Sequence, residues 1–196
     1  RILIAVNPWK QLSCYSEGVS REYFGAPMKE RPPHCFAIAD IAYRNMLKDQ
    51  SDQSILVSGE SGSGKTETTK FVLRHLAFCS SFDPSWSSAS PARDELSRRA
   101  LAEARMRSSA LEKRVLASNP ILEAFGNART VRNPNSSRYG KFLQLLFTPP
   151  HSGAAPRLSS ARVRIFLLER SRVVHVAAGE GNFHIFHQLR SAAADA

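Results

Sequence analysis

The stretch Gly59-Glu60-Ser61-Gly62-Ser63-Gly64-Lys65-Thr66 fits the pattern G-x-x-x-x-G-K-[ST]. Ahead of it, Ser54-Ile55-Leu56-Val57 is a compact apolar, β-branched run that reads as a strand. Behind it, Thr66 to Phe78 contains good helix formers and sets Phe71, Val72, His75 and Leu76 on one side. The order strand, glycine loop, helix is the context the pattern requires. The glycines let backbone N–H groups wrap phosphate oxygens, and the helix start adds its positive end. Lys65 supplies charge and the Thr66 hydroxyl can ligate Mg²⁺. The pattern points to nucleotide phosphate binding without choosing among kinases, GTPases, transport ATPases and motors.

Outward from this loop, helices and strands alternate. Ile2 to Val6 reads as a short buried strand stopped by Asn7-Pro8, followed by a polar, mostly loop segment to about Pro33. His34 to Lys48 places Phe36, Ile38, Ala39, Ala42, Tyr43, Met46 and Leu47 at helical spacing. Ser80 to Pro91 is serine-rich and reads as a surface loop, and a charged helix continues beyond it to about Ser118. Phe142 to Phe147 and Val163 to Glu169 read as strands, and Gly181 to Leu189 as a last short helix. The expected class is α/β, with a sheet in the middle.

With 196 residues, 42% hydrophobic and 22% charged, the chain can build a sizeable core, which excludes disorder as the main state. No apolar run is long enough for a membrane span or a signal-peptide core, so a soluble cytoplasmic protein is expected. Cys14, Cys35 and Cys79 match neither a disulfide framework nor a paired metal-ligand spacing and read as reduced thiols. The net charge of +10 favours an anionic partner, but no basic run carries interleaved aromatics, so nucleic acid is not expected. His184 and His187 lack a third ligand nearby and read as packing or solvent residues. Starting at Arg1 in a strand-like run and ending in Ser191 to Ala196, the chain reads as a piece of something longer.

A second constellation, Asn133-Pro134-Asn135-Ser136-Ser137-Arg138-Tyr139-Gly140-Lys141, gathers amides, hydroxyls and a guanidinium just before a strand. A serine here could give Mg²⁺ a second side-chain oxygen while Asn and Ser hydrogen-bond a γ-phosphate, with Arg138 holding an acidic partner. An ordinary Asn/Pro/Ser turn ahead of an edge strand has the same residue types.

Gly59 to Lys70, GESGSGKTETTK, resembles the P-loop of the myosin motor head, and Asn133 to Lys141 resembles that family's switch I. Other stretches resemble it in the same order: Asn7-Pro8-Trp9-Lys10 with Tyr15, His34 to Asp40, Asn119 to Val131, Leu167 to Val174, and Asn182 to Leu189. The resemblance implies a P-loop NTPase fold with a mixed central sheet flanked by helices. Residues 1–79 would carry the adenine-pocket loop and P-loop, 80–110 a loop 1-like insertion that affects product release, and 111–196 switch I and the start of the upper region. It further implies that Asn7, Pro8 and Tyr15 line an adenine pocket with Trp9 and Lys10 near the base. Gly59, Glu60, Ser61, Gly62, Ser63, Gly64, Lys65, Thr66 and Glu67 would hold the nucleotide. Asn133 and Ser136 would serve the phosphates and attacking water, Ser137 would join Thr66 on Mg²⁺, and Arg138 would pair with a switch II glutamate. The implied ligands are ATP and Mg²⁺. The implied partners are the actin filament, through the complete head, and light chains or calmodulin, through a neck that these residues do not contain.

The sequence departs from that pattern at Pro134, mildly at Tyr139 in place of the usual Phe, at Gly181, and in one motif that is not found. Pro134 stands where the family usually has an amide or acidic residue, which removes one backbone N–H. Gly181 replaces a typical Arg, so an ion pair is expected to be lost. No Asp-x-x-Gly-[Phe/Tyr]-Glu follows the last strand, which leaves Arg138 without a recognised partner. These residues alone are therefore expected to bind ATP weakly without turnover. The alternative function is a truncated or degenerate P-loop nucleotide-binding protein without motor activity.

Overall fold

The structure, a computed structural model, describes residues 2–27, 29–81, 103, 106, 109–148 and 156–194. It divides into two compact units, one built from 1–58, 63–113 and 145–160, the other from 59–62, 114–144 and 161–196.

The first unit is organised by three helices. In α1, Glu17–Tyr23, the Ser16 hydroxyl caps the start by accepting from the Val19 N–H at 3.3 Å, with Glu17 in the first turn. In α2, Cys35–Asp49, the His34 Nδ1 caps by accepting from the Phe36 N–H at 3.0 Å, and Gln50 ends the helix in the left-handed region. The expected bounds differ from this helix by one residue at each end. The longest, α3, Lys65–Ser81, grows directly out of the glycine loop. Ser80 and Ser81 close this helix and do not open the serine-rich loop. Residues 109–117 form a fourth helix, α4; the rest of the insertion expected over 80–110 lies largely outside the described residues.

Helix α2 packs mainly on α3, and Phe36, Ala39, Tyr43, Val72, Leu76 and Cys79 form the core between them. The period of 3.6 puts these side chains on facing stripes, and their removal from water is the main force holding the helices together. Tyr43 is tied down at its polar end, donating to the Pro156 carbonyl at 3.1 Å.

The runs Ile2–Val6 and 54–57 are not strands here, although their pattern is strand-like. Ile55 packs on the core while Leu56 is 91% exposed, and Leu3 packs inward while Ile2, Ile4 and Val6 face solvent. Alternation supplies one buried face, but a strand also needs a neighbour to complete its ladder. Among the described residues neither run has one, and the strands described form two small antiparallel sheets, each of two strands.

The second unit starts with α5, Asn119–Gly126, which carries Pro120 in its first turn. It runs into β1, Asn127–Ala128, paired antiparallel with β2, Ser136–Ser137, in the register Asn127 with Ser137 and Ala128 with Ser136. Ala128 also bridges Phe183. β3, Gly140–Phe147, and β4, Leu158–Phe166, form the second two-stranded sheet. β4 stops earlier than expected, because Leu167 turns to φ 55° and Arg170–Val173 forms a 3₁₀ turn. Helix α6, His184–Ala194, closes the unit against α5.

Gly126 fits its place because a side chain would not. A Cβ there would fall inside the ring of Tyr139, against Cε1 and Cδ1. Gly126→Ala is expected to destabilise the fold by about 1–3 kcal/mol through overpacking. Adding Tyr139→Ala to that variant is expected to recover most of the loss, read as a coupling in a double-mutant cycle of unfolding midpoints.

Candidate functional site

In the first unit, α3 begins at Lys65, and its first backbone bond runs from the Thr68 N–H to the Gly64 carbonyl at 2.9 Å. Thr69 Oγ1 donates to the Lys65 carbonyl at 2.9 Å. Gly64 has φ 90°, a conformation a side chain would strain, and a Cβ there would lie 3.6 Å from the Asn7 side chain. Asn7 and Gly64, from two separate stretches of sequence, are therefore neighbours. The Asn7 Oδ1 accepts from the Trp9 N–H at 3.0 Å, while Pro8, Trp9 and Lys10 are exposed around it. Thr66 and Glu67 are exposed in the first turn of α3, and Glu67 pairs with Lys70 at 2.6 Å. Tyr15 is half-buried and stacks flat on Phe71 of α3, with ring centres 3.8 Å apart and planes 3° from parallel. Burial holds its hydroxyl above the usual phenol range.

In the second unit, Gly59 to Gly62 meet the 133–138 loop. Ser61 Oγ donates to Ser136 Oγ at 2.9 Å, and Asn133 Nδ2 donates to Ser61 Oγ at 3.4 Å. Glu60 accepts from Arg132 Nη1 at 3.2 Å. Ser136 is buried and Ser137 exposed, as their alternation in β2 requires. Pro134 sits in a turn closed by the Asn135 N–H donating to Asn133 Oδ1 at 2.9 Å. A proline is suited to such a turn, because its fixed φ pre-sets the bend. Asn135 in turn accepts from Asn127 Nδ2 at 2.8 Å and meets His184 Nε2 at 3.1 Å. His184 thus serves the loop as a hydrogen-bonding partner.

Arg138 has an acidic partner within these residues, Glu169, which no local spacing in the sequence marks. Its Nε donates to Glu169 Oε2 at 2.5 Å and its Nη1 to Ser136 Oγ at 3.3 Å. The backbone reinforces the pair, the Glu169 N–H donating to the Arg138 carbonyl at 2.9 Å. Glu169 also accepts from the buried Arg172, which reaches Glu180 at 2.8 Å and the Gly181 carbonyl at 3.0 Å. Hydrogen bonds from Arg172 first, and then from Arg138, hold the Glu169 carboxyl below its ordinary range. Gly181, where an ion pair was expected to be lost, contributes its carbonyl to this network and its N–H to the Arg129 carbonyl at 2.9 Å.

The sequence profile described as Myosin head (motor domain) matches residues 1–196. This chain belongs to the myosin head family. It is 47% identical to Myosin-15 of Arabidopsis thaliana over 196 residues, which is all of this chain and 11% of that protein. Over 188 residues it is 42% identical to Myosin-3 of Caenorhabditis elegans, 96% of this chain and 9% of that protein. It is also 45% identical to Protein OPAQUE1 of Zea mays over 197 residues, 100% of this chain and 11% of that protein. The chain thus spans about a tenth of the length of these relatives. Among the described residues no helix is long and apolar enough to cross a membrane, and the family is cytoskeletal and motor-associated.

Proposed function

We propose that this myosin-head chain carries the ATP-binding part of an actin-based motor, which in the complete head hydrolyses MgATP to drive movement along actin. The observation that carries this reading is the contact of P-loop Ser61 with Ser136 and Asn133, which brings a phosphate-binding stretch against a loop of hydroxyls and amides. Asn7 against Gly64 supports the adenine side of the reading.

In this reading the amides of Gly59 to Thr66 and the Lys65 ammonium bind the phosphates, aided by the positive end of α3. Asn7, Pro8 and Tyr15 enclose the base, with Trp9 and Lys10 beside it. Asn133 and Ser136 orient the water that attacks the γ-phosphate in line. The hydroxyls of Thr66 and Ser137 are hard oxygen donors that suit Mg²⁺. When bound, the ion neutralises charge on the phosphate oxygens. Arg138, held by Glu169, positions Ser136.

The test is phosphate release from the full-length protein with MgATP, with and without filamentous actin, alongside GTP competition. Turnover of ATP accelerated by actin is the expected result. Preference for GTP would overturn the ATP assignment. Tight nucleotide binding without turnover would make the protein a P-loop binder and not a motor.

A further inference from the structure

We propose that Asp40 of α2 with His75 and Cys79 of α3 forms a binding site for a divalent transition cation of the zinc type, locking the two helices together. The inference is independent of the nucleotide reading. One ligand atom from each of the three side chains lies within 4.8 Å of the others. All three are in the first unit and essentially fully buried, Asp40 at 1%, His75 at 0% and Cys79 at 0% exposure.

Three features favour a ligand. First, His75 and Cys79 are four residues apart, so α3 presents them on one face, one turn apart, toward Asp40. Second, His75 Nδ1 is engaged by the buried Ser20 Oγ at 2.6 Å, whereas its Nε2 is buried with no hydrogen-bond partner. An orphaned nitrogen in the core is costly, and a ring whose other nitrogen is pinned by a hydrogen bond is the arrangement that orients a metal-binding histidine. Third, Asp40 Oδ1 accepts from the Gly25 N–H at 3.1 Å and Oδ2 from Arg44 Nε at 2.7 Å. Each oxygen keeps a second lone pair, so both contacts aim the carboxylate without exhausting it.

The donor set selects the ion. A thiolate, an imidazole and a carboxylate together suit zinc, whereas Mg²⁺ and Ca²⁺ require oxygen ligands throughout. With the Cys79 proton released to solvent on binding, the thiolate and the Asp40 carboxylate bring two negative charges to a dipositive ion, the carboxylate sharing its charge with Arg44. Bonds of about 2.0–2.3 Å place tetrahedral ligand atoms roughly 3.2–3.8 Å apart, so the cluster closes by about 1 Å through side-chain rotation. Water takes the fourth position. A cleft of about 330 Å³ lined by Ser20, Ala77 and Phe78 borders the hydroxyl that holds His75.

The full-length protein, freed of metal by chelation and kept nucleotide-free, is titrated with Zn²⁺ or Co²⁺. The expected results are one more retained zinc per chain than in Cys79→Ala or His75→Phe, a melting temperature raised by zinc in the parent alone, and a thiolate-to-cobalt absorption band that Cys79→Ala abolishes. Equal metal content in parent and variants, or a band that survives Cys79→Ala, overturns the proposal. Should the variants fail to fold, alkylation of the parent during partial unfolding decides. Zinc is expected to protect Cys79 while Cys14 and Cys35 react unchanged, and equal reaction of all three with and without zinc overturns the site.

Discussion

Replacing Lys65 with Ala in the complete head is expected to lower ATP turnover by at least about 100-fold, the scale on which losing one preorganised charge stabiliser acts. Lys65 is the first residue of α3, so its ammonium leaves the same place as the positive end of the helix. The variant should fold normally. Alanine is the best helix former, and the backbone groups that organise this turn, the Gly64 carbonyl to Thr68 and the Lys65 carbonyl to Thr69, are untouched. Circular dichroism and unfolding midpoints should therefore match the parent while phosphate release collapses. Turnover within twofold of the parent would show that Lys65 does not hold the phosphates.

Phe36→Ala is expected to have the largest effect on stability, about 3–5 kcal/mol. The side chain is fully buried and lies parallel to His75 at 4.8 Å between centres, with His34 at 4.4 Å and Tyr15 edge-on at 6.2 Å. These neighbours come from the short 3₁₀ turn Ser13–Tyr15, the α2 cap and α3, so the cavity cannot be closed by moving one element. A marginally stable domain has only about 5–15 kcal/mol in total, so the loss should be plain in denaturant or thermal midpoints. A change below about 1 kcal/mol would show that the surrounding rings collapse to fill the space.

Local signals in the sequence were read well, and partnerships were not. The stripe of α2 and the sequence of glycine loop and helix depend on neighbours three or four residues away, so their spacing is visible in the chain itself. The runs at Ile2–Val6 and 54–57 are short and continuously apolar, as a buried strand is, but a ladder depends on which backbone lies alongside, and an apolar run carries no record of that. The pairing of Arg138 with Glu169 is not legible in the sequence, because the two lie 31 residues apart and no local spacing links them. Within Glu-Arg-Ser-Arg of 169–172 the spacing shows Arg172 three residues from Glu169, whereas the second guanidinium on that carboxylate, Arg138, comes from elsewhere in the chain. His75 and Cys79 escape a test that compares cysteine spacings alone. A His and a Cys four apart on a helix already form half a ligand set.

The parallel faces of Tyr15 and Phe71 have a mechanical consequence. Flat rings in contact resist being pulled apart or tilted, yet they slide over one another at little cost, since dispersion changes slowly with lateral offset. Phe71 is six residues into α3, and Tyr15 ends the turn that follows Asn7 to Lys10. The joint therefore behaves as a greased plate, passing a push along its normal from the helix to the loop while absorbing a glide along its plane.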